Sequence, residues 1–380
     1  MELLDSGELV PLPPVTTYVL KVASRCNLAC TYCYMYEGPD QSWRRQPNLM
    51  SEETLEAALA QVAEYAQVNK LKSVSLVIHG GEPLLIGLTK LRSFLQVGRQ
   101  VLGRANVDVN YSIQTNATLI TPAIVELLQE HDVAVGVSLD GSVANHDRRR
   151  VDRSGRGSYS RVIDGIEMLR HYSGGKQPYS AIAVIDFNSD PVEQLQSLIE
   201  LGFTRADFLL PDLNWDHVAL VDQSQVGAWL IRMFDAYVTS ESPMYLRTYQ
   251  TILKLLLGGR WGSDAWGESS AGTLIIESDG EYEYHDALKT AFDGAGKSGK
   301  NVHTHPIAAV AQQPLMQLMT DRLAHIASAC SGCEFKRVCG GGHIVHRYST
   351  DNGFMNPSVY CGAIKLLLRH MNQVQLTESH

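Results

Sequence analysis

Apolar positions along the chain change their spacing in a regular rhythm. Short apolar or alternating runs at 17–22 (TYVLKV), 73–80 (SVSLVIHG), 107–116 (VDVNYSIQTN), 133–141 (VAVGVSLDG), 179–186 (YSAIAVID) and 206–212 (ADFLLPD) predict strands. Helical patterns separate them. Ser51 precedes EETLEAALAQVAEYA as an N-cap, with Thr54 rather than Glu three residues on, so the capping box is incomplete. Thr121-Pro122 and Asp190-Pro191 open AIVELLQEH and VEQLQSLIEL with proline in the first helical turn. Six strands alternating with helices over 17–235 predict a parallel sheet with right-handed crossovers. The pattern does not say whether that sheet closes. Either form places the active site at the C-terminal strand ends.

Beyond residue 240 the rhythm breaks. MYLRTYQTILKLLLGG predicts a helix ending in Gly-Gly, and LIIESDGEYEYHD a hairpin turning at Asp279-Gly280. Residues 286–305 read as a surface loop. A helix, a cysteine-rich knot and a last helix, CGAIKLLLRHMNQ, complete the chain.

Composition narrows the function classes. The 380 residues are 44% hydrophobic and 19% charged, suiting two domains or one large α/β domain with an appendage. The net charge of −9 argues against a partner held by nucleic-acid phosphates. No 18-residue apolar run predicts a membrane span, and MELLDSGELVPLPP is not a secretion signal. The cytoplasm is therefore expected, where clustered cysteines bind metal or do redox work.

The seven cysteines fall into two groups, Cys26, Cys30 and Cys33, then Cys330, Cys333, Cys339 and Cys361. Three thiolates hold three irons of a cubane [4Fe–4S] cluster and leave one iron open for chemistry. The alternative is a zinc knuckle, but zinc takes four ligands and the neighbouring ten residues on either side supply no further Cys or His. Four thiolates fill a second cubane or a zinc ribbon.

Cys-x3-Cys-x2-Cys with Tyr32 before the last cysteine resembles the radical S-adenosylmethionine (SAM) enzymes. The resemblance implies that the open iron chelates SAM, whose cleavage gives a 5′-deoxyadenosyl radical that removes a substrate hydrogen. Gly80-Gly81-Glu82-Pro83 is similar to the family's GGEP motif, whose backbone carbonyls and glutamate accept from the SAM ammonium. Gln114-Thr115-Asn116 and Ser138-Leu139-Asp140 resemble positions contacting the SAM ribose and methionine. In the basic stretch 146–159, Arg150 is the candidate for the SAM carboxylate or the substrate; a solvated loop is the bland alternative.

The C-terminal cysteines resemble a SPASM domain. One block of the full pattern is Cys-x2-Cys-x5-Cys-x3-Cys; here it runs to Cys339, and His343 follows in place of the fourth cysteine. His285 stands where a hairpin cysteine is expected, five residues after Gly280. Two imidazoles do not replace four thiolates, so one auxiliary cluster is expected. In sulfatase-maturing relatives the residue matching Asp286 takes a proton from substrate.

The resemblance implies a partial (β/α)6 TIM-type barrel with a C-terminal SPASM/twitch-like Fe–S domain. The expected division is 1–15, an N-terminal segment; 16–238, the core; 239–272, a bridge; and 273–380, the auxiliary-cluster domain. YEGPDQSWR, VIHGGEPLL and CGGGHIVHRYSTDNGFMNPSVYC are similar to FxsB-type cyclophane-forming peptide maturases. These join an aromatic ring carbon to the β-carbon of a residue two places on in a ribosomally made precursor peptide. A flavodoxin or ferredoxin is the implied reductant. The N-terminal segment is too short for a winged-helix recognition domain, so the peptide could add to the edge of the 274–285 hairpin. Formylglycine formation and thioether crosslinking are alternatives within the same chemistry. An iron–sulfur electron carrier without SAM chemistry is the alternative from another class.

Overall fold

A computed structural model describes residues 2–3, 9–10, 13–174, 179–242, 244–259, 262–268 and 272–378. The six predicted strands all form: β1 (Val15–Ala23), β2 (Ser73–Gly80), β3 (Asp108–Thr115), β4 (Ala134–Ser138), β5 (Tyr179–Val184) and β6 (Arg205–Leu209). They lie side by side in chain order and all run parallel. A two-residue strand, β7 (Tyr245–Leu246), extends the sheet beyond β6. On the other side β8 (Gly272–Ile276) pairs parallel with β1, then β9 (Glu281–Glu283) and β10 (Lys297–Asn301) follow antiparallel. These ten strands form one open sheet ordered β10-β9-β8-β1-β2-β3-β4-β5-β6-β7, and among the described residues Glu2–Leu3 and Leu9–Val10 pair antiparallel as a separate two-stranded sheet.

The helices obey the capping signals. Helix α1 (Glu52–Val68) begins with the Ser51 side chain accepting from Thr54 N–H. Between β2 and β3 runs α2 (Leu88–Arg104), and α3 (Pro122–Glu130) is capped by Thr121. Then come α4 (Val143–Arg149), α5 (Tyr159–Tyr172) and α6 (Pro191–Glu200), the last capped by Asp190. Helix α1 buries Leu55, Ala58, Leu59, Val62 and Ala66, the spacing of one face. Truncating Leu59, which has no exposed surface, to alanine would cost about 2–5 kcal/mol. Helix α7 (Gln223–Thr239) follows β6 and α8 (Arg247–Leu256) follows β7. The C-terminal region adds α9 (Ala308–Ala311), α10 (Pro314–Thr320), α11 (Lys336–Cys339) and α12 (Cys361–Glu378), which packs along α7.

Two expectations change. The stretch 286–305 is not only a loop, because Lys297–Asn301 forms β10. Its composition, KSGKN, hides this: an edge strand outside the core needs no apolar alternation. With β10 in place, β9 is hydrogen-bonded on both sides, as is β8. The hairpin therefore offers no free edge, and peptide addition there is ruled out by the sheet itself.

Candidate active site

The chain leaves β1 at Ala23 and enters the cysteine loop at the C-terminal edge of the sheet. A tight turn from Cys33 N–H to Cys30 C=O (3.1 Å) and a bond from Leu28 N–H to Cys26 Sγ (3.4 Å) shape this loop. All three thiols line a cavity of about 510 Å³, within the range of small-molecule sites. Burial, then Glu82 and the neighbouring cysteines, pushes the Cys26 thiol up to about 12. Burial also raises Cys33, to about 11, and raises Cys30 against the pull of Arg150. Three crowded, buried sulfurs become thiolates together only around a cationic centre. That donor set fits a three-cysteine iron–sulfur cluster.

The glycines of GGEP are needed for a local reason. Gly80 has φ +147°, and a Cβ there would lie 2.1 Å from Ala23 C=O. A Cβ on Gly81 would lie 1.9 Å from the Tyr36 hydroxyl and 2.5 Å from Arg25 C=O. Without side chains the turn slides beneath the cysteine loop, where Gly81 and Glu82 N–H donate to Ala23 and Arg25 carbonyls at 2.8 and 3.0 Å. Gly80 and Gly81 face the cavity, but the Glu82 carboxylate is absent from its wall. Glu82 accepts from Leu84 N–H (3.0 Å), Thr115 Oγ1 (2.7 Å) and Asn116 N–H (2.7 Å), tying the end of β2 to the end of β3. Burial raises its carboxyl to about 7 against those three donors. Both carboxylate oxygens of Glu82 are thus engaged by neighbouring donors.

Gln114 and Ser138 line the cavity and hydrogen-bond across β3 and β4, Gln114 Nε2 to Ser138 Oγ at 2.8 Å. Gly136 makes room, since a Cβ there would stand 2.1 Å from Gln114 Oε1. Asn116, also in the wall, donates to Asn27 Oδ1 (2.9 Å) and approaches Cys26 Sγ (3.8 Å). Asp140 is different: it is fully buried behind Tyr32 and does not line the cavity. It accepts from the Tyr32 hydroxyl at 2.6 Å and Val184 N–H at 3.0 Å, and pairs with Arg150 Nε at 3.1 Å and Arg149 Nη2 at 3.3 Å. Burial opposes its ionisation, yet the two guanidiniums hold its carboxyl low. Its work is to seat Arg150 over the Tyr32 ring, 5.4 Å from the centroid, in the cavity wall.

A second chamber of about 240 Å³ shares Tyr34, Leu209, Leu210 and Asp212 with the first. Asp286 lines it. The Lys21 ammonium forms an ion pair with Asp286 Oδ2, and the Tyr34 hydroxyl donates to the same oxygen at 3.3 Å. His79 Nδ1 lies 3.2 Å from Lys21 Nζ and accepts from Gly80 N–H at 2.8 Å. Burial favours a neutral Asp286, but Lys21, His79 and Lys289 win and bring its carboxyl down to about 2. Its other oxygen, Oδ1, is buried without a partner. Sequence reading missed Lys21 and Tyr34. The signal was a lysine inside the otherwise apolar run TYVLKV, which has no exposed surface in the fold.

Residues 20–206 match the radical SAM superfamily. The chain carries a radical SAM domain. Its relatives include a cysteine-type anaerobic sulfatase-maturating enzyme of Clostridium novyi, 27% identical over 68% of this chain and 70% of that one. A serine-type anaerobic sulfatase-maturating enzyme of Bacteroides thetaiotaomicron is 23% identical over 88% of this chain and 84% of its own. Among solved structures, native anSMEcpe with bound AdoMet superposes with a TM-score of 0.79 at 22% identity, covering 95% of this chain and 98% of that chain. Streptococcus suis SuiB bound to precursor peptide SuiA gives 0.59 at 18%, covering 88% and 72%. The likeness extends the shared fold past the radical SAM domain into the C-terminal region. A radical SAM domain uses SAM and a [4Fe–4S] cluster, and the cysteine loop suits both.

Beyond the radical SAM domain, Cys330, Cys333, Cys339 and Cys361 line one apolar cavity with Ile326, Phe335, Ile364 and Leu368. The run Gly340-Gly341-Gly342 has positive φ throughout, and a Cβ on Gly340 would strike Gly267 C=O at 2.0 Å. Burial raises Cys339 to about 12 despite the nearby Arg322 guanidinium. Arg322, 2% exposed, donates to the carbonyls of Ser263 (2.9 Å), Ala265 (2.9 Å), Cys339 (3.2 Å) and Gly342 (2.7 Å). Arg347, also buried, donates to His325 and Phe354 carbonyls. Among the described residues neither guanidinium pairs with a carboxylate. Four thiols beside two such cations suit an anionic four-thiolate cluster. His285 and His343 lie outside this pocket, on the wall of the second chamber, with ring centroids 4.8 Å apart. Among the described residues no helix is long and apolar enough to cross a membrane.

Proposed function

We propose that the enzyme oxidises a side chain of a ribosomally made precursor peptide and joins its β-carbon to the ring carbon of an aromatic residue two places away. Cys26, Cys30 and Cys33 hold the catalytic cluster. Cys330, Cys333, Cys339 and Cys361 hold an auxiliary one. Gly80, Gly81, Gln114, Asn116, Ser138 and Arg150 face bound SAM, while Glu82 and Asp140 position that wall from behind. Loaded, these centres supply a 5′-deoxyadenosyl radical for hydrogen-atom removal and a sink for one electron.

The residues of this chain do the rest. The observation that carries the reading is Asp286, held ionised and with one unpartnered oxygen, in a chamber that shares four wall residues with the larger cavity. Addition of a carbon radical to an aromatic carbon leaves a radical adduct that still carries its hydrogen there, and aromaticity returns when one electron passes to the auxiliary centre and a base takes the proton. Asp286 is that base; Lys21 and Tyr34 keep its Oδ2 occupied so that Oδ1 faces the ring. Phe208, Trp266, Leu230 and Leu367 give the chamber the apolar wall an aromatic side chain needs. A flavodoxin or ferredoxin reduces the catalytic cluster.

Formylglycine formation is the second reading, favoured by the sulfatase-maturating relatives. The test is anaerobic reaction of the reconstituted enzyme with peptides encoded by small neighbouring reading frames, deuterated at Cβ. The expected product has lost two hydrogens, with deuterium in 5′-deoxyadenosine and no fragmentation between the two linked residues. A carbonyl at a single serine or cysteine would establish the second reading. Absence of 5′-deoxyadenosine would overturn both.

A further inference from the structure

The arginines that stay out of the cavity wall gather on one piece of surface. Residues 148–161 hold Arg148, Arg149, Arg150, Arg153, Arg156 and Arg161 against a single acid, Asp152, in a chain whose net charge is −9. Arg149 and Arg150 turn inward to the buried Asp140. The other four line neither chamber. The Arg156, Arg148 and Arg161 side chains are 81%, 51% and 41% exposed, and Arg153 is exposed as well. Their carboxylate partners, Asp152 and Asp186, are only 10% and 12% exposed. Asp147, just before the run, is engaged by Tyr159 N–H at 2.8 Å. A partner arriving from solvent therefore meets guanidinium first, with the opposing charge behind it.

This surface is stitched to the cysteine loop. Ala29 N–H donates to Val151 C=O at 2.7 Å, and Thr31 N–H donates to Arg149 C=O at 2.9 Å. Leu28 and Asp152 form an antiparallel bridge between them. Arg153 Nη2 then donates to Cys26 C=O at 3.0 Å. An exposed guanidinium thus touches the backbone of a cysteine in the catalytic loop. From its N–H to the Cys26 sulfur the path is one hydrogen bond followed by the covalent bonds of one residue.

We propose that Arg148, Arg153, Arg156 and Arg161 form the docking surface for an acidic flavodoxin, which delivers the catalytic electron beside Cys26. This rests on the reading that Cys26, Cys30 and Cys33 hold the catalytic cluster and that a flavodoxin reduces it. The acidic remainder of the chain repels such a partner, so the arginines orient it as well as attract it. In the complex the anionic flavin hydroquinone gives up one electron and becomes the neutral semiquinone. The cluster gains that electron, and no proton changes hands.

The experiment mixes the iron- and sulfide-reconstituted enzyme, without oxygen, with a photoreduced acidic bacterial flavodoxin. Fluorescence anisotropy of labelled flavodoxin gives Kd, and stopped flow follows the semiquinone. The wild-type Kd should rise at least about tenfold between about 50 and 200 mM salt. Arg153→Glu combined with Arg156→Glu should raise Kd at low salt at least about tenfold and slow semiquinone formation at sub-saturating flavodoxin by the same factor. Iron content and reduction by dithionite should stay at wild-type levels. Arg156 is bonded to Asp152 and not to the cysteine loop. Arg156→Gln alone should raise Kd at least about threefold, which separates lost docking from a shifted loop. Lys72→Glu combined with Arg104→Glu changes the net charge equally at the other edge of the sheet, where exposed Lys72 precedes β2 and exposed Arg104 ends α2. That control should leave Kd within about twofold. Equal Kd for wild type and the arginine variants, or an equal rise in the control, would overturn the docking surface alone. Wild-type enzyme that dithionite reduces but flavodoxin neither binds nor reduces would overturn the flavodoxin reading and the surface together.

Discussion

Replacing Lys21 by methionine tests the electrostatic design of the second chamber. The Asp286 carboxyl lies at about 2 instead of its usual 3.8. That difference corresponds to about 2.5 kcal/mol. The folded carboxyl ionises more readily than the unfolded one. The contribution is therefore complete above pH 4 and is lost as pH falls from about 4 through about 2. Methionine keeps the length of the buried side chain and removes the nearest cation. Burial then becomes the dominant influence on Asp286, and a carboxyl so enclosed rises towards about 6 or above. Breaking a buried pair from one side also costs about 3–5 kcal/mol. Two assays read these effects: urea unfolding at neutral pH, and the pH profile of single-turnover product formation. The wild-type rate should show no acid limb from this group above about pH 4. Lys21→Met should show one near pH 6 and recover most of its rate above pH 8. Asp286→Asn should lose about 10²–10⁴-fold at every pH. Superimposable acid limbs for wild type and Lys21→Met would refute the argument that Lys21 keeps the base ionised.

Three further outcomes follow from the same geometry. Changing Cys26, Cys30 and Cys33 together to alanine should lower iron from about eight to about four per chain; a fall from about four to near zero, with zinc present, would make the C-terminal knot a zinc site. Gly81→Ala puts a Cβ 2.5 Å from Arg25 C=O, so the cysteine loop must shift; SAM affinity by equilibrium dialysis should fall at least about tenfold, about 1.4 kcal/mol. Arg322→Met leaves the Ser263, Ala265, Cys339 and Gly342 carbonyls without their shared donor; at about 1–3 kcal/mol for each buried unpaired group, thermal unfolding should move down by several degrees and the iron of the knot should be lost first.

What could be read from the chain alone depended on distance along it. The six strands and the caps at Ser51, Thr121 and Asp190 rest on local spacing, and they form as read. The cysteines show the same economy, since one loop or one knot supplies each set. Glu82 and Asp140 show the limit: sequence places them beside the cavity, but only the fold reveals that their oxygens are already engaged by neighbouring strands. Lys21 and Asp286 are 265 residues apart, and no local pattern links them. Strand β10 escaped for the opposite reason: its pairing needs only backbone, so its side chains carry no signature.

The β1–β8 ladder sets Leu20 opposite Ile276 and Tyr18 opposite Leu274. The cysteine loop that follows β1 and Asp286, which follows β9, thus hang from one hydrogen-bonded ribbon with β8 between them. The C-terminal half cannot swing away like a jaw without tearing central strands apart. Amide exchange at 274–276 will therefore track global unfolding and not a breathing mode. Access to the cavity must come from loop and side-chain movement at its mouth, and the reach between the cysteine loop and Asp286 is fixed when the sheet folds.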